Sequence, residues 1–513
     1  MRWRIMVATL CALLVAPSAR AEWLEARSRH FVLYADSSDT AIRRQSEALE
    51  RLDAGLRRFM HVADEPDIAS RKLTVFLVDD RDIARLCRCT NVGGFYMSRV
   101  SGSLAFSGKG GWTTASNNGR LVLFHEYAHH FLLGSYNLAF PAWYAEGFAE
   151  FASTMKTGPT AAVIGYPAQH RAYGLMGGQR FSAEQLFDPA LRGRLTSSEQ
   201  IDAFYGRGWL LTHFVSFNPT RAAQFGKYIA AINQGVPGIK AARQAFGDLG
   251  TMNREVSGYL SKRTLPGLTS PYVDAQLPTV TVRALTRGEA ALIDLRMESV
   301  RGVDRESGIK LYNKAAPIAA RFPDDPVVQG WLAEMAYDAD QNDASEAAAA
   351  KAIARDPKSM QALLYRGMVK LRALEEAKST DAAAWDAARQ SIIAANRNDP
   401  DDARPLWLFW QSFAMEGRKP RPSAITGLLR AQELAPQDEG VRFAAAMARL
   451  EANELAEAKR LLRPLAYDPH AGADNAAIRM IAALDAGKNG PEVIAAGAAA
   501  VVAKTAAEAE EKK

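Results

Sequence analysis

Cysteine is scarce in this chain, which holds three among 513 residues. Cys87 and Cys89 are separated by one residue, so a disulfide between them is possible but closes a very small, strained loop. The sequence offers no second cysteine pair that would complete a Cys-x-Cys metal site. Whether these two thiols are reduced or paired with each other therefore stays open. Stability must come from apolar cores rather than from a disulfide framework.

A strong charge of one sign is also lacking. The formal net charge is +6, and without Arg2, Arg4 and Arg20 of the leader described below the chain carries about +3. The basic residues are scattered along the chain, so they do not predict a nucleic-acid partner. After the leader, no apolar run is long enough to span a bilayer. We therefore expect neither nucleic-acid binding nor a transmembrane segment in the mature chain.

The first 21 residues have the three parts of a signal peptide. Arg2 and Arg4 precede an apolar run at 6–16, and Ala-Arg-Ala at 19–21 is a small-x-small cleavage site. The run is too short to cross a membrane. We predict cleavage after Ala21 and export to the periplasm or the extracellular space, with a retained signal anchor as the alternative.

The length of the chain and the order of its patterns predict an α+β domain at 22–263. A chain of this length exceeds one ordinary hydrophobic core, and 48% apolar with 23% charged residues is typical of globular proteins. Residues 38–59 have the period of an amphipathic helix, and helices dominate from about residue 117. Strands followed by helices are an α+β pattern. The predicted strands are 31–34, 73–77, 93–96 and 103–106.

The second half of the chain predicts an all-α solenoid. Residues 264–285 are interrupted by Pro and Gly and have no helical period, so we interpret them as a linker. Thr286 to Glu289 resembles a capping box that opens a long helical region. Prolines then recur at intervals of about 34 residues, with one longer interval, at positions 323, 357, 400, 436 and 469.

This period, with Ala-rich helices between the prolines, resembles tetratricopeptide repeats, which we assign to 286–486. Such helical hairpins bury their apolar faces by stacking on their neighbours. An irregular all-α bundle is the alternative. The Ala/Glu/Lys-rich end, 487–513, is predicted to be a helix or a tail.

The segment 121–134, which reads LVLFHEYAHHFLLG, carries the candidate chemistry. His125 and His129 are four residues apart, so on a helix they share one face and can bind one metal ion. Glu126 projects about 100° around the helix from His125, beside the metal rather than on it. A carboxylate in that place suits a general base that takes a proton from the attacking water. His130 points away from the ligand face and is expected to pack.

A second helix supplies a third ligand. Catalytic zinc needs three protein ligands and one open position. Pro141 is suited to the first turn of a helix, and Glu146 and Glu150, four residues apart, share one face of it. One of these carboxylates can bind zinc while the other accepts the free N–H of a ligand histidine.

His-Glu-x-x-His followed by W-x-x-E-G-x-A-E-F at 143–151 resembles the gluzincin metallopeptidases, the thermolysin-like and aminopeptidase-like clan. The resemblance covers about residues 90–217. It implies a zincin-like fold, one Zn²⁺ per chain, Glu146 as the third ligand and peptide hydrolysis by metal-activated water. In this family an extended substrate pairs with an edge strand beside the zinc helix, and residues 103–106 are placed to do so.

Similar proteins often carry a tyrosine near the start of a later helix, where it stabilises the transition state. Tyr205 lies at a comparable place, and we predict that its phenol donates to the developing oxyanion. A structural tyrosine is the alternative. His213 and His170 are weaker candidates for the same role, and each is expected to be a packed or surface histidine.

Three functions follow from these patterns. The first is an exported zinc metallopeptidase acting on a peptide or protein, with repeats that recruit a protein partner or the substrate. The alternative is a repeat-based adaptor whose front domain holds zinc structurally or has lost activity. Against it stand the intact Glu126 and the lack of a fourth side-chain ligand. A third is a zinc hydrolase acting on another bond, which the ligands alone do not exclude.

Overall fold

The computed structural model of the protein describes residues 22–64, 68–89, 92–110, 118–177, 180–272, 277–467 and 475–499. The predicted signal peptide, the last residues of the predicted tail (500–513) and Pro469 lie outside the described residues. Within the described part, no helix combines the length and the apolar character that crossing a membrane requires.

A six-stranded mixed sheet forms the centre of the front region, residues 22–285, in the order β4-β5-β3-β2-β1-β9. Its strands are β1 Glu22–Arg27, β2 Phe31–Ser37, β3 Leu73–Val78, β4 Gly94–Met97, β5 Ser103–Gly108 and β9 Thr281–Ala284. Strands β2, β3 and β5 are parallel, while β4 and β9 pair antiparallel at the two edges. A smaller sheet contains β6 Lys156–Thr157, β7 Ala161–Ile164 and β8 Leu268–Pro271.

The predicted strands are present, but the prediction of the edge strand is wrong. Strand β5, which contains residues 103–106, lies between β4 and β3. The sheet therefore ends at β4, because the hairpin folds β4 back along the outer side of β5. The backbone edge on this side of the sheet belongs to β4.

Ten helices of the front region are described. They are α1 Asp39–Met60, α2 Asp80–Cys87, α3 Asn118–Ser135, α4 Ala142–Ser153, α5 Ala172–Met176, α6 Ala183–Leu186, α7 Ser198–Phe217, α8 Pro219–Asn233, α9 Gly238–Phe246 and α10 Leu249–Leu260. Ser38 caps α1 by accepting a hydrogen bond from the backbone N–H of Ala41. At the end of α2 a disulfide joins Cys87 to Cys89, so the two thiols are paired with each other.

The central sheet is buried on both faces. On one face Val75 and Leu77 belong to the core that α1, α3 and α4 complete. On the other face Phe76 and Phe106 join a core with helices that follow residue 285, through residues such as Ile293. Neighbouring residues of a strand point to opposite faces, so the apolar run of β3 supplies both cores. The front and helical regions consequently share a core.

Two parts of the segment 264–285, which was predicted as a linker, are strands of the two sheets instead. Strand β8 pairs with β7, and β9 extends the central sheet beside β1. Arg283 on β9 bonds Glu25 at 2.8 Å and Glu289 at 2.7 Å, which ties both strands to the next helix. The sequence of 264–285 does not predict these strands, because each is only four residues long and the segment is interrupted by prolines. Four residues are too few for a recognisable alternation of apolar and polar side chains.

The helical region, residues 286–499, is a run of antiparallel helix pairs. Its helices are α11 Arg287–Arg301, α12 Arg305–Ala319, α13 Pro326–Asp338, α14 Asn342–Arg355, α15 Met360–Glu376, α16 Ala382–Asn398, α17 Ala403–Met415, α18 Pro422–Leu434, α19 Glu439–Glu451, α20 Leu455–Ala466 and α21 Ala476–Asp485. Each helix packs on the next along the chain from α11 to α21. Residues 490–499 are helical as well.

Local signals place the boundaries of these helices. Thr286 and Glu289 form the predicted capping box at the start of α11. The prolines at 323, 357, 400 and 436 fall between successive helix pairs, where a residue that cannot donate to a helix is tolerated. The structure thus has the solenoid-like run of helices that the period predicts.

The helical region returns to the front region near its end. Gln437, in the loop before α19, donates to the backbone oxygen of Ser70 at 2.6 Å and to that of Arg99 at 3.3 Å. The Ser70 hydroxyl in turn donates to the backbone oxygen of Leu434 at 3.2 Å. The solenoid therefore contacts the front region at its first helix and again around α18 and α19.

Candidate metal centre

Helices α3 and α4 carry the predicted ligands, and a glycine sets how closely a third helix approaches them. A Cβ atom on Gly147 would lie 2.3 Å from the backbone oxygen of Gly208 and 2.5 Å from Thr212 Oγ1, both on α7. Only a residue without a side chain fits such a contact. The glycine after Glu146 therefore lets α7 press against α4, which places Tyr205 on the same side as the ligands.

The structure brings the three predicted ligands together. His125 Nε2 and His129 Nε2 are 3.2 Å apart, and Glu146 Oε2 lies 3.5 Å and 3.6 Å from them, respectively. A tetrahedral zinc ion with bonds of about 2.0–2.1 Å holds its donor atoms roughly 3.3 Å apart. The triangle of two imidazole nitrogens and one carboxylate oxygen therefore has the size and the donor types of a three-ligand zinc site.

The charges around this triangle favour a cation. Burial lowers the pKa of the His125 imidazole, but hydrogen bonds to Glu146 and Glu150 outweigh it and raise that pKa to about 10. Burial raises the pKa of Glu146, yet the charge of His129 and hydrogen bonds with both histidines hold it well below its usual range. Two buried carboxylates therefore stabilise positive charge here, whether on a protonated imidazole or on a metal.

Glu150 joins one of the candidate ligand histidines, His125, to the surrounding protein. Its Oε1 lies 3.0 Å from His125 Nδ1, the nitrogen that faces away from the other ligands. The same carboxylate lies 2.6 Å from His170 Nε2 and 2.7 Å from Arg171 Nη2, and only 1% of its surface is exposed. We expect Glu150 at this place from the sequence, and its influence on a bound metal remains a prediction.

Arg171 is a site residue that the sequence analysis missed. It binds Glu150 with one nitrogen and Asp202 with another, the latter at 2.8 Å. Its guanidinium also lies 5.0 Å from the ring centroid of Tyr205. His170, considered as a substrate donor, contacts Glu150 instead. Neither residue has a spacing signal, because both lie about 20 residues beyond the motif in a short turn.

Tyr205 lies directly beside the candidate ligands. Its ring stacks on that of His125, with centroids 6.0 Å apart and an interplanar angle of 26°. Burial and the charge of Glu146 raise the pKa of the phenol above its usual range. The hydroxyl is therefore protonated at neutral pH and able to donate a hydrogen bond. That this hydrogen bond reaches an oxyanion remains a prediction.

Glu126 faces a cleft between the two regions of the protein. The cleft has a volume of about 470 Å³, and Glu126 and His129 line it together with Tyr96 and Met97 of β4. Glu126 is half-buried. The predicted base, one predicted ligand and the edge strand therefore open into the same space.

Two further histidines have structural partners. His213 is fully buried, with Nδ1 2.8 Å from the Tyr259 hydroxyl and Nε2 3.0 Å from the backbone oxygen of Gly165. His130 contacts Tyr96 and the backbone of Arg71, and burial lowers its pKa to about 4. Both therefore pack as neutral side chains, as the sequence analysis expects.

Helix α1 packs behind α3, the helix that carries the two candidate histidine ligands. The Tyr127 hydroxyl donates to the buried carboxylate of Asp53. His30 Nδ1 lies 3.5 Å from the same carboxylate, and its Nε2 lies 3.0 Å from Asp64 Oδ1. These groups are close enough to hold a metal ion, but Arg57 already bonds Asp53 at 2.8 Å. We therefore interpret the cluster as a network of ion pairs.

No protein-family model and no curated protein matches the chain. A solved structure entitled "MamA RS-1 ArsTM double mutant" is similar over 36% of this chain and 97% of its own, at 13% identity and a TM-score of 0.27. A likeness at that TM-score supports no inference about fold or function. We therefore take function from the geometry of the site.

Proposed function

We propose that this protein is an exported, gluzincin-like zinc metallopeptidase that hydrolyses peptide bonds. The observation that carries the proposal is the triangle of His125, His129 and Glu146, whose donor atoms are 3.2–3.6 Å apart. Three protein ligands leave one position for water or substrate, which is typical of catalytic zinc, whereas structural zinc usually has four. One Zn²⁺ per chain is expected.

The side chains around the triangle have complementary roles in such a reaction. A zinc ion held by His125, His129 and Glu146 would supply Lewis-acid chemistry, which polarises a carbonyl and lowers the pKa of a bound water. Glu126 takes the proton of the attacking water and passes it to the leaving amine. Tyr205 donates its hydroxyl proton in a hydrogen bond to the developing oxyanion. Glu150 holds His125 in the tautomer that presents Nε2 to the ion.

The edge strand β4 supports an extended peptide as the substrate. Tyr96 and Met97 of this strand line the cleft that Glu126 and His129 share. An extended peptide gains main-chain hydrogen bonds when it pairs with an exposed edge. This favours a peptide over another hydrolysable substrate, because a small ester or amide would make no use of the strand.

The helical repeats are proposed to recruit a protein partner or a protein substrate. Stacked helical hairpins offer long concave surfaces of the kind that bind other chains. An adaptor with an inactive front domain remains the competing function. The two differ in whether Glu126 matters, since an adaptor makes no use of a general base.

The test compares the full chain with its Glu126→Gln variant on a peptide library, with products identified by mass spectrometry. General bases contribute about 10²–10⁴-fold to rate, so we expect the variant to lose at least about 100-fold in kcat. Metal analysis should find about one zinc per chain in both. Glu376→Gln, an exposed change at the end of α15, serves as the control. Full activity of the Glu126 variant, or no zinc after zinc addition, would refute the proposal.

A further inference from the structure

We infer that the last helical hairpin before residue 468, α19 with α20, forms one wall of the substrate cleft and selects a large apolar side chain. The inference rests on the proposed function, since it concerns the same cleft. If α19 and α20 form this wall, the helical repeats do more than recruit a partner. They also help to select which substrate residue lies beside the scissile bond.

The cleft is lined from two sides. The front region contributes Glu126, His129 and the edge strand, and the helical region contributes Glu439 and Arg442 of α19. The end of α20 adds Pro464, Leu465 and Tyr467. A cavity of about 470 Å³ is within the usual range for a ligand pocket. A peptide side chain that enters from the candidate metal centre therefore meets residues of both regions.

The helical wall is held firmly against the front region. Arg442 is 2% exposed, and its guanidinium donates to the side-chain oxygen of Asn137 and to the backbone oxygen of Pro436. Asn137 lies in the connection between α3 and α4, the two helices that carry the candidate ligands. Tyr467 packs against the core of the front region. The wall thus keeps a defined position relative to the candidate metal centre.

The apolar part of the lining, which lies beside the charged Arg99, Glu439 and Arg442, indicates the kind of side chain that binds. The front region presents Leu132, Leu138 and Phe140 to the cleft, and Leu138 is 39% exposed although it is apolar. Pro464 and Leu465 complete the apolar lining from the helical side. Binding a leucine or phenylalanine side chain removes these surfaces from water, whereas alanine would leave part of them exposed.

The experiment measures binding, so that it does not depend on turnover. Fluorescent peptides of one sequence, with Leu, Phe, Ala or Asp at a single varied position, are titrated against the zinc-loaded Glu126→Gln protein. The varied position is scanned along the peptide. We expect Leu and Phe peptides to bind on the order of 10-fold more tightly than the Ala peptide at one position. Leu465→Ala added to this protein should abolish most of that preference. Leu465→Glu should abolish it as well and should weaken binding of the Asp peptide further, because like charges repel.

Ile309→Ala, which removes a 38% exposed side chain on α12, is the matched control and should leave the preference intact. Circular dichroism and zinc content check that the variants fold. Equal preference in Leu465→Ala and Ile309→Ala would overturn the inference, as would equal binding of the Leu and Ala peptides at every position. A Leu465-dependent preference without cleavage by the unmodified chain would refute the peptidase and leave the α19–α20 wall only as a binding site for an apolar side chain.

Discussion

Replacing Glu150 by glutamine tests whether this carboxylate tunes the candidate metal centre. The change keeps the shape of the side chain and removes its charge. Glu150 is 1% exposed and lies 3.0 Å from His125 Nδ1, 2.6 Å from His170 Nε2 and 2.7 Å from Arg171 Nη2. Glutamine offers one acceptor oxygen to three hydrogen-bond donors, so its hydrogen bond to His125 is weaker. The imidazole of His125 then becomes a weaker ligand for zinc.

Losing a carboxylate that orients a ligand histidine typically costs about 10–100-fold in metal affinity. This corresponds to roughly 1.4–2.7 kcal/mol, since each tenfold change in affinity is about 1.4 kcal/mol. We expect Glu150→Gln to raise the zinc Kd by this factor while one zinc per chain still binds at saturation. Competition with a chromophoric chelator at constant pH measures the Kd.

Glu289→Gln is the matched control for this change. Glu289 is also 1% exposed and also pairs with an arginine, Arg283 at 2.7 Å, but it lies in the capping box of α11. Its replacement should lower stability and leave the zinc Kd unchanged. If both variants changed the zinc Kd equally, or if neither changed it, Glu150 would have no specific effect on zinc affinity.

Two further predictions concern stability. Gly147→Ala should destabilise the protein by about 1–3 kcal/mol or more and weaken zinc binding, because the new methyl group meets the backbone of α7. Gly134→Ala on α3 is the control, since a Cβ atom there has nothing within 4 Å, and it should change neither property. Thermal unfolding and zinc titration measure the two effects. Burial lowers the pKa of His30, but the charges of Asp53 and Glu50 raise it to about 9. Charged His30 therefore contributes its full stabilisation below pH about 6.5, and up to about 3 kcal/mol of the free energy of unfolding is lost as pH rises through about 9. Unfolding of the zinc-loaded protein at a series of pH values should show this loss, and His30→Gln should make the free energy of unfolding depend less on pH.

Parts of the site were predictable because they depend on neighbouring residues. The helical spacing of His125 and His129 places two donors on one face, and their nitrogens are 3.2 Å apart in the structure. The interpretation of Glu146 needed a family resemblance as well, since no local rule chooses between it and Glu150. Arg171 was missed because its contacts to Glu150 and Asp202 join three separate segments.

Some features of the fold could likewise be predicted from neighbouring residues, and others could not. The residue patterns predicted strands β2 to β5 but missed β1 and β6 to β9, and proline spacing predicted the boundaries of the helix pairs. The segment 264–285 was interpreted as a linker because its strands are four residues long and their partners, β7 and β1, lie more than 100 residues away. The edge position of β4 likewise follows from the order of the strands and not from its own residues.

The sequence by itself predicted the two histidine donors, the candidate base and the helical character of the second half, because each depends on residues within one or two turns. The tertiary structure decided what surrounds them. It set Glu150 between His125 and Arg171, and it closed the cleft with α19 and α20 through contacts such as that of Arg442 with Asn137. The contact of Arg442 with Asn137 joins residues 305 positions apart. Such contacts depend on how whole helices pack, which no local pattern of residues encodes.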